Sequence, residues 1–138
     1  MTNVRRRLFR PVLGSWRVVL LLLVAMVVSQ PVTMGLYLSG RFPMIDLHRT
    51  LGSAVAAVAL LGAALAVAYA VAGGRVWVVP VQVVLFLATG MQIGAGYVRN
   101  LALHLPLGVA VCSGAILLAA WSWTRSASRC RVRGGEMA

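Results

Sequence analysis

RTLGSAVAAVALLGAALAVAYAVAGGR, residues 49–75, decides the fold. Between its two arginines lie 25 residues without a charge, and about 20 apolar residues wound as a helix cross the hydrocarbon of a membrane. Working outward, the same punctuation recurs. Arg17 to Arg41 encloses 23 uncharged residues, Arg75 to Arg99 another 23, and Arg99 to Arg125 another 25. The chain of 138 residues is 61% hydrophobic and 11% charged, against about 45–50% and 25% in a soluble domain. Thirteen arginines, no lysine and two acids, Asp46 and Glu136, are too few charges to coat such a core in water. The expected fold is therefore all-α: four transmembrane helices over approximately 17–39, 47–72, 76–98 and 101–123, arranged as an up-and-down bundle. Basic tails, 1–16 and 125–138, flank it, and no soluble domain fits.

A formal net charge of +11 invites comparison with nucleic-acid binders. The arginines, however, sit at helix ends and in the tails rather than in a stripe interleaved with aromatics, so nucleic acid is not expected as a partner. Orientation in a lipid bilayer accounts for them. Ten arginines lie in the tails, before the first span, and at Arg75, against three (Arg41, Arg49 and Arg99) on the opposite side. The positive-inside rule then puts both termini in the cytoplasm of a bacterial plasma membrane. Trp16, Trp77, Trp121 and Trp123 fall at the inner boundary and Tyr37 and Tyr97 at the outer one, as interfacial anchors do. The basic start followed by Val18 to Val28 has the form of a signal peptide, but Val27-Val28-Ser29 is a poor cleavage site. Cutting there would leave a stub too short to span, so the segment is expected to stay as the first helix. The tails are expected to be loosely ordered and to touch anionic headgroups.

Cys112 in the fourth span and Cys130 in the tail form no C-x-x-C pair, so neither a disulfide nor a redox couple is expected. No carboxylate lies at membrane depth. This argues against a proton-coupled exporter built on a buried acid, and leaves histidine, glutamine and hydroxyl groups as the polar chemistry of the interior. No nucleophile with a base and no phosphate loop is present, so an enzymatic role has no support in the sequence.

Both histidines stand in one pattern. His48 opens the second span in His48-Arg49-Thr50-Leu51-Gly52, and His104 opens the fourth in His104-Leu105-Pro106-Leu107-Gly108, each reading H-x-x-L-G. These spans run in the same direction, so the two rings are expected at similar depth near the outer face. Gly52 and Gly108 follow four residues later on the same helical face, where an absent side chain admits a flat group. Neutral imidazole is an axial ligand of haem iron, and bundles hold haem between facing helices. The candidate cofactor site is thus one haem b with His48 and His104 on the iron, Gly52 and Gly108 beside it, and Arg49 and Arg99 available to its carboxylates. The competing readings are interfacial histidines with packing glycines, and arginines that snorkel to lipid phosphate.

Gln30 precedes His48 by 18 positions and Gln82 precedes His104 by 22, about one helical turn more. This suggests a 2+2 repeat related by a pseudo-two-fold axis along the membrane normal, with the histidines on opposite sides. Gln92 adds a further polar group. The glutamines suit a porphyrin edge, a quinone carbonyl or interhelical hydrogen bonds. Pro31 should kink the first helix and free a carbonyl.

The run of Gln30-Pro31, His48 to Gly52, Val81-Gln82-Val83-Val84 and Leu101 to Gly108 resembles an uncharacterised family of small four-helix bacterial integral membrane proteins, over about residues 17–124. More distantly, His-Arg opening helix two and a histidine opening helix four resemble one four-helix half of a haem A synthase. That resemblance implies haem ligation by His48 and His104 near the outer face. The synthase differs in having two such halves and a carboxylate three residues before the first histidine, where Ile45 stands here with Asp46 one place nearer; its chemistry is not implied.

The expected function is accordingly haem-dependent electron transfer or haem handling, with a membrane redox partner or quinone. Two readings stand beside it: a cofactor-free accessory protein that packs with partner helices or as a homodimer, and a quinone- or lipid-binding bundle.

Overall fold

A computed structural model describes residues 2–131, with side chains from Arg7 onward. Arg133 and Glu136 of the basic tail lie outside the described residues. The chain forms α1 (Thr2–Leu38), α2 (Met44–Val71), α3 (Val78–Tyr97) and α4 (Leu101–Ser122). All four are long and apolar enough to cross a membrane, the first over Arg7–Leu38. Helix is the form expected there, since hydrocarbon offers no partner to a backbone amide and each segment must bond its own. Among the described residues there is no strand.

The ends are set by local chemistry. Gly40, at φ +90°, follows α1; its amide donates to the Tyr37 carbonyl and that of Arg41 to Leu36. Gly73, at φ +109°, closes α2 the same way, with Gly73 donating to Ala70 and Gly74 to Tyr69. These are left-handed C-terminal caps, in which glycine carries no Cβ penalty. α3 ends with the same bonds, Arg99 to Gly96 and Asn100 to Ala95, but the left-handed position is Arg99 at φ 57°. The Asn100 side chain then accepts from the Leu103 amide and starts α4.

Each helix packs against two neighbours, α1 on α2, α2 on α3, α3 on α4 and α4 back on α1, which is an up-and-down bundle. One end carries the start of α1, the end of α4 and the α2–α3 loop; the other carries the α1–α2 and α3–α4 hairpins. At the terminal end Phe9, Leu13, Trp16, Leu20, Ala66, Tyr69, Val78, Leu85 and Leu118 form one buried cluster. At mid-depth Leu23, Val27, Val55, Ala59, Val111 and Ala115 form a second.

Helix α1 starts well before the span boundary expected at residue 17, and its first turns belong to the core. Phe9, Leu13 and Trp16 are buried against Tyr69 of α2, the Trp16 ring stacked on it at 5.1 Å. Trp16 thus faces the bundle interior, unlike Trp77 and Trp123, which are exposed as interfacial anchors are. α1 remains helical through Pro31, the expected kink site.

The segment after α4 folds back onto this end. Arg17 donates twice to the Ser122 carbonyl, at 2.9 and 2.7 Å, and once to the Ser128 hydroxyl, with its guanidinium 4.6 Å over the Trp123 ring. The Tyr69 hydroxyl donates to the Ala127 carbonyl at 2.7 Å, and the Arg131 amide to Gly73 at 2.7 Å. Cys130 lies against Gly73, and Cys112 is likewise a free thiol. Tyr69→Phe orphans a buried carbonyl and is expected to cost about 1–3 kcal/mol. Faster hydrogen exchange at the Arg131 amide would register the release of this segment; unchanged exchange would count against it.

Candidate functional site

Beyond Val27 and Val55, toward the hairpin end, the apolar clusters stop and the interior becomes polar. Gln30 and Thr33 of α1, His48 of α2, Gln92 of α3 and His104 of α4 come together there. Polar groups inside a membrane bundle are costly, and are kept for function or for bonding helices together.

The two imidazoles lie close together across the bundle diagonal, centroids 6.4 Å apart and planes at 58°. Each is fixed through Nδ1 to the backbone of a neighbouring helix. His104 Nδ1 lies 2.8 Å from the Gln92 carbonyl oxygen. A carbonyl only accepts, so this nitrogen carries the proton and Nε2 keeps a lone pair. His48 Nδ1 lies 3.2 Å from both the Gln30 carbonyl and the Thr33 hydroxyl, whose own proton goes to that carbonyl at 2.9 Å. The Gln30 amide nitrogen, in the orientation that satisfies both its ends, is 3.1 Å from the same Nδ1 and 3.2 Å from the His48 carbonyl, while its oxygen accepts from the Gly52 amide. His48 Nδ1 thus meets two oxygens able to accept and one amide able to donate, and its partners suit either tautomer. A His N–H on a backbone carbonyl is also how metal-ligating imidazoles are oriented, leaving Nε2 outward.

Glycines open the space for the glutamines. A Cβ on Gly108 would stand 2.7 Å from Gln92 Nε2, and one on Gly96 3.0 Å from the His104 ring. Gly52 faces Gln30 at an ordinary 3.9 Å. Gly52 and Gly108 therefore stand against the glutamines that neighbour the two histidines, and only at Gly108 is the space taken by the amide too close for a Cβ. Arg49 pairs instead with Asp46, 3.5 Å away on an exposed surface. Arg99 occupies the left-handed cap of the α3–α4 hairpin and is exposed. Neither arginine has a bond to the histidine pair.

The internal likeness of the two halves is real at the level of contacts but uses a different glutamine. Gln30 and Gln92 stand beside their histidines, whereas Gln82 lies at mid-depth, fully buried against Gly62. Its Nε2 reaches the Ala59 carbonyl only at 3.5 Å and its Oε1 has no partner among the described residues. An interhelical bond in a membrane is worth about 0.6 kcal/mol, less than the roughly 1–3 kcal/mol of a buried orphan acceptor. Gln82→Leu is therefore expected to raise the detergent-unfolding midpoint slightly, and a large loss would show that Gln82 is bonded more strongly than this. Thr33, Gly96 and the direct Gln92–His104 contact were not singled out by the sequence pattern. For Gly96 and Gln92 a signal is present in Gln92-x-x-x-Gly96, the same four-residue step as His104 to Gly108; for Thr33 there is none.

Comparisons with family models, curated proteins and solved structures returned no match.

Proposed function

We propose that this integral membrane protein holds one b-type haem between His48 and His104 for electron transfer or haem handling. The observation that carries the reading is the proximity of two imidazoles at 6.4 Å, each held through Nδ1 beside a backbone carbonyl. His48 and His104 would hold the iron of such a haem through ring nitrogens, and their separation leaves them near enough to share one metal. Among the described residues no group of three or more His, Cys, Asp or Glu gathers. Two imidazoles alone hold a bare ion poorly, so the donor set suits a metal that brings its equatorial ligands with it. Haem supplies one-electron chemistry when bound. The chain's part is to hold both rings through Nδ1 beside the Gln30 and Gln92 carbonyls, with the Nδ1–H form set at His104, and to exclude water with the apolar clusters beneath. The arginine excess at the terminal end supports a bacterial plasma-membrane orientation with both termini cytoplasmic and the haem near the outer leaflet.

A second reading has its own observation. Gln92 Nε2 lies 3.3 Å from His104 Nε2, on the nitrogen a metal would take. In that reading the layer is a polar clamp between helices in a cofactor-free accessory protein. A reduced-minus-oxidised spectrum of protein purified after haem-replete expression separates the two. A sharp low-spin b-type spectrum at about one haem per chain supports the site; a well-folded preparation without haem overturns it in favour of the clamp.

A further inference from the structure

The two imidazoles differ in what stands on Nε2. Every contact of the His48 ring falls on Nδ1, from the Gln30 carbonyl, the Thr33 hydroxyl and the Gln30 amide, and its Nε2 has no partner among the described residues. The His104 ring is held at both nitrogens by one residue, with the Gln92 carbonyl 2.8 Å from Nδ1 and the Gln92 amide nitrogen 3.3 Å from Nε2. With the proton on Nδ1, the ring can only accept at Nε2, so the amide must turn its NH2 toward it. The Gln92 Oε1 is then left buried without a partner among the described residues. A flip of the amide would set that oxygen against the imidazole lone pair, so the orphan acceptor and the contact with His104 come together. Gly108 leaves the room for this arrangement, since a Cβ there would stand 2.7 Å from the amide nitrogen.

We infer that Gln92 is a displaceable cap on His104, which makes His48 the histidine that takes haem first and holds it last. The inference rests on the haem reading and goes beyond it by ranking the two ligands. A metal and the Gln92 amide need the same lone pair, so His104 can ligate only after the amide has moved away. No amide stands on His48 Nε2, and that ring meets no such competitor. Because the capped state leaves a buried oxygen unsatisfied, the amide is held loosely enough to yield to a ligand bond. A neutral hydrogen bond shifts a competition of this kind about fivefold. The cap therefore weakens the grip of His104 and leaves that of His48 alone, which favours haem handling over permanent retention.

The test loads the full-length protein with haem in detergent and follows its loss to a haem-free globin in excess, read from the visible spectrum. Gln92→Leu, and Gln92→Asn with its amide drawn out of reach, should each lose haem about fivefold more slowly than the unmodified chain. Were Gln92 only a bond between helices, both changes would loosen the site and speed the loss. The effect should also depend on His104. Gln92→Leu should slow the loss in a His48→Ala background and leave it unchanged in His104→Ala, where there is nothing to uncap. His48→Ala should lose haem faster than His104→Ala. Circular dichroism confirms that each variant folds; should Gln92→Leu fail to, Gln92→Asn carries the same test. Equal or faster loss from the Gln92 variants overturns the cap and leaves the haem reading standing, as does an undiminished effect without His104 or the reverse order of the two alanine variants. A folded, unmodified chain that takes up no haem overturns the haem reading itself, and the cap with it.

Discussion

With His48 or His104 replaced by alanine, the protein is expected to insert and fold but to lose its six-coordinate haem spectrum. Either change removes one imidazole of the close pair and leaves both apolar clusters intact, since neither cluster contains a residue of the polar layer. The cost to the fold is the hydrogen bond to the Gln30 or Gln92 carbonyl, about 1 kcal/mol. The cost to the site is complete, because one axial ligand cannot give a bis-histidine spectrum. Normal spectra in both variants would remove the axial-ligand assignment. Gln92→Leu separates the haem reading from the clamp reading. It keeps both imidazoles and deletes the amide 3.3 Å from His104 Nε2. Under the haem reading it should bind haem at least as well as the unmodified chain. A variant that instead binds none, and in which α3 and α4 come apart more readily in detergent, supports the clamp.

The charge punctuation gave four spans in the right order because only a helix satisfies its own backbone in hydrocarbon, so composition alone nearly determines the architecture. The histidine pair was legible for a similar reason: two residues of one type, opening alternate helices, must come to one end of an up-and-down bundle. Their partners were less legible. Sequence distance pairs Gln82 with Gln30, but distance along the chain counts the hairpin as well as the helices. α1 runs to Leu38 beyond Gln30 and the hairpin to Met44, whereas α3 ends at Tyr97, soon after Gln92, and α4 starts at Leu101. The shorter second hairpin brings the nearer glutamine to the histidine. Arg49 and Arg99 are expected near the pair because a guanidinium's reach is long; Arg49 lies 3.5 Å from Asp46 on the surface and Arg99 holds a left-handed backbone position, with both side chains exposed. The N-terminal turns misled through their charge. Arg7 and Arg10 mark a boundary in the sequence, yet Phe9, Leu13 and Trp16 between and after them recur at helical spacing and pack inward.

Trp16 is where this extension is tested most severely, and Trp16→Ala is expected to be among the most destabilising single changes in the chain. The ring is fully buried, stacked on Tyr69 at 5.1 Å and edge-on to Trp121 at 6.4 Å, so it joins α1, α2 and α4. Its neighbour Arg17 holds the end of α4. Truncating a buried tryptophan in a soluble core costs about 3–5 kcal/mol. In a membrane part of that is absent, because lipid tails are as apolar as the core and the loss is of packing rather than of burial. The lower end, about 3 kcal/mol, is therefore expected. Trp16→Phe should behave differently. The indole Nε1 is buried with no partner among the described residues, so exchanging it for a phenyl ring keeps an aromatic face for Tyr69 and removes an orphan donor. The relieved donor offsets the smaller ring, and the change should stay within about 1 kcal/mol. Unfolding in mixed micelles, titrated with denaturing detergent and followed by far-ultraviolet circular dichroism, measures both. If Trp16→Ala unfolds within about 0.5 kcal/mol of the unmodified chain, the range of an ordinary surface substitution, then the first turns of α1 do not belong to the bundle. A Trp16→Phe loss as large as that of alanine would instead show that the indole N–H is bonded in the folded protein.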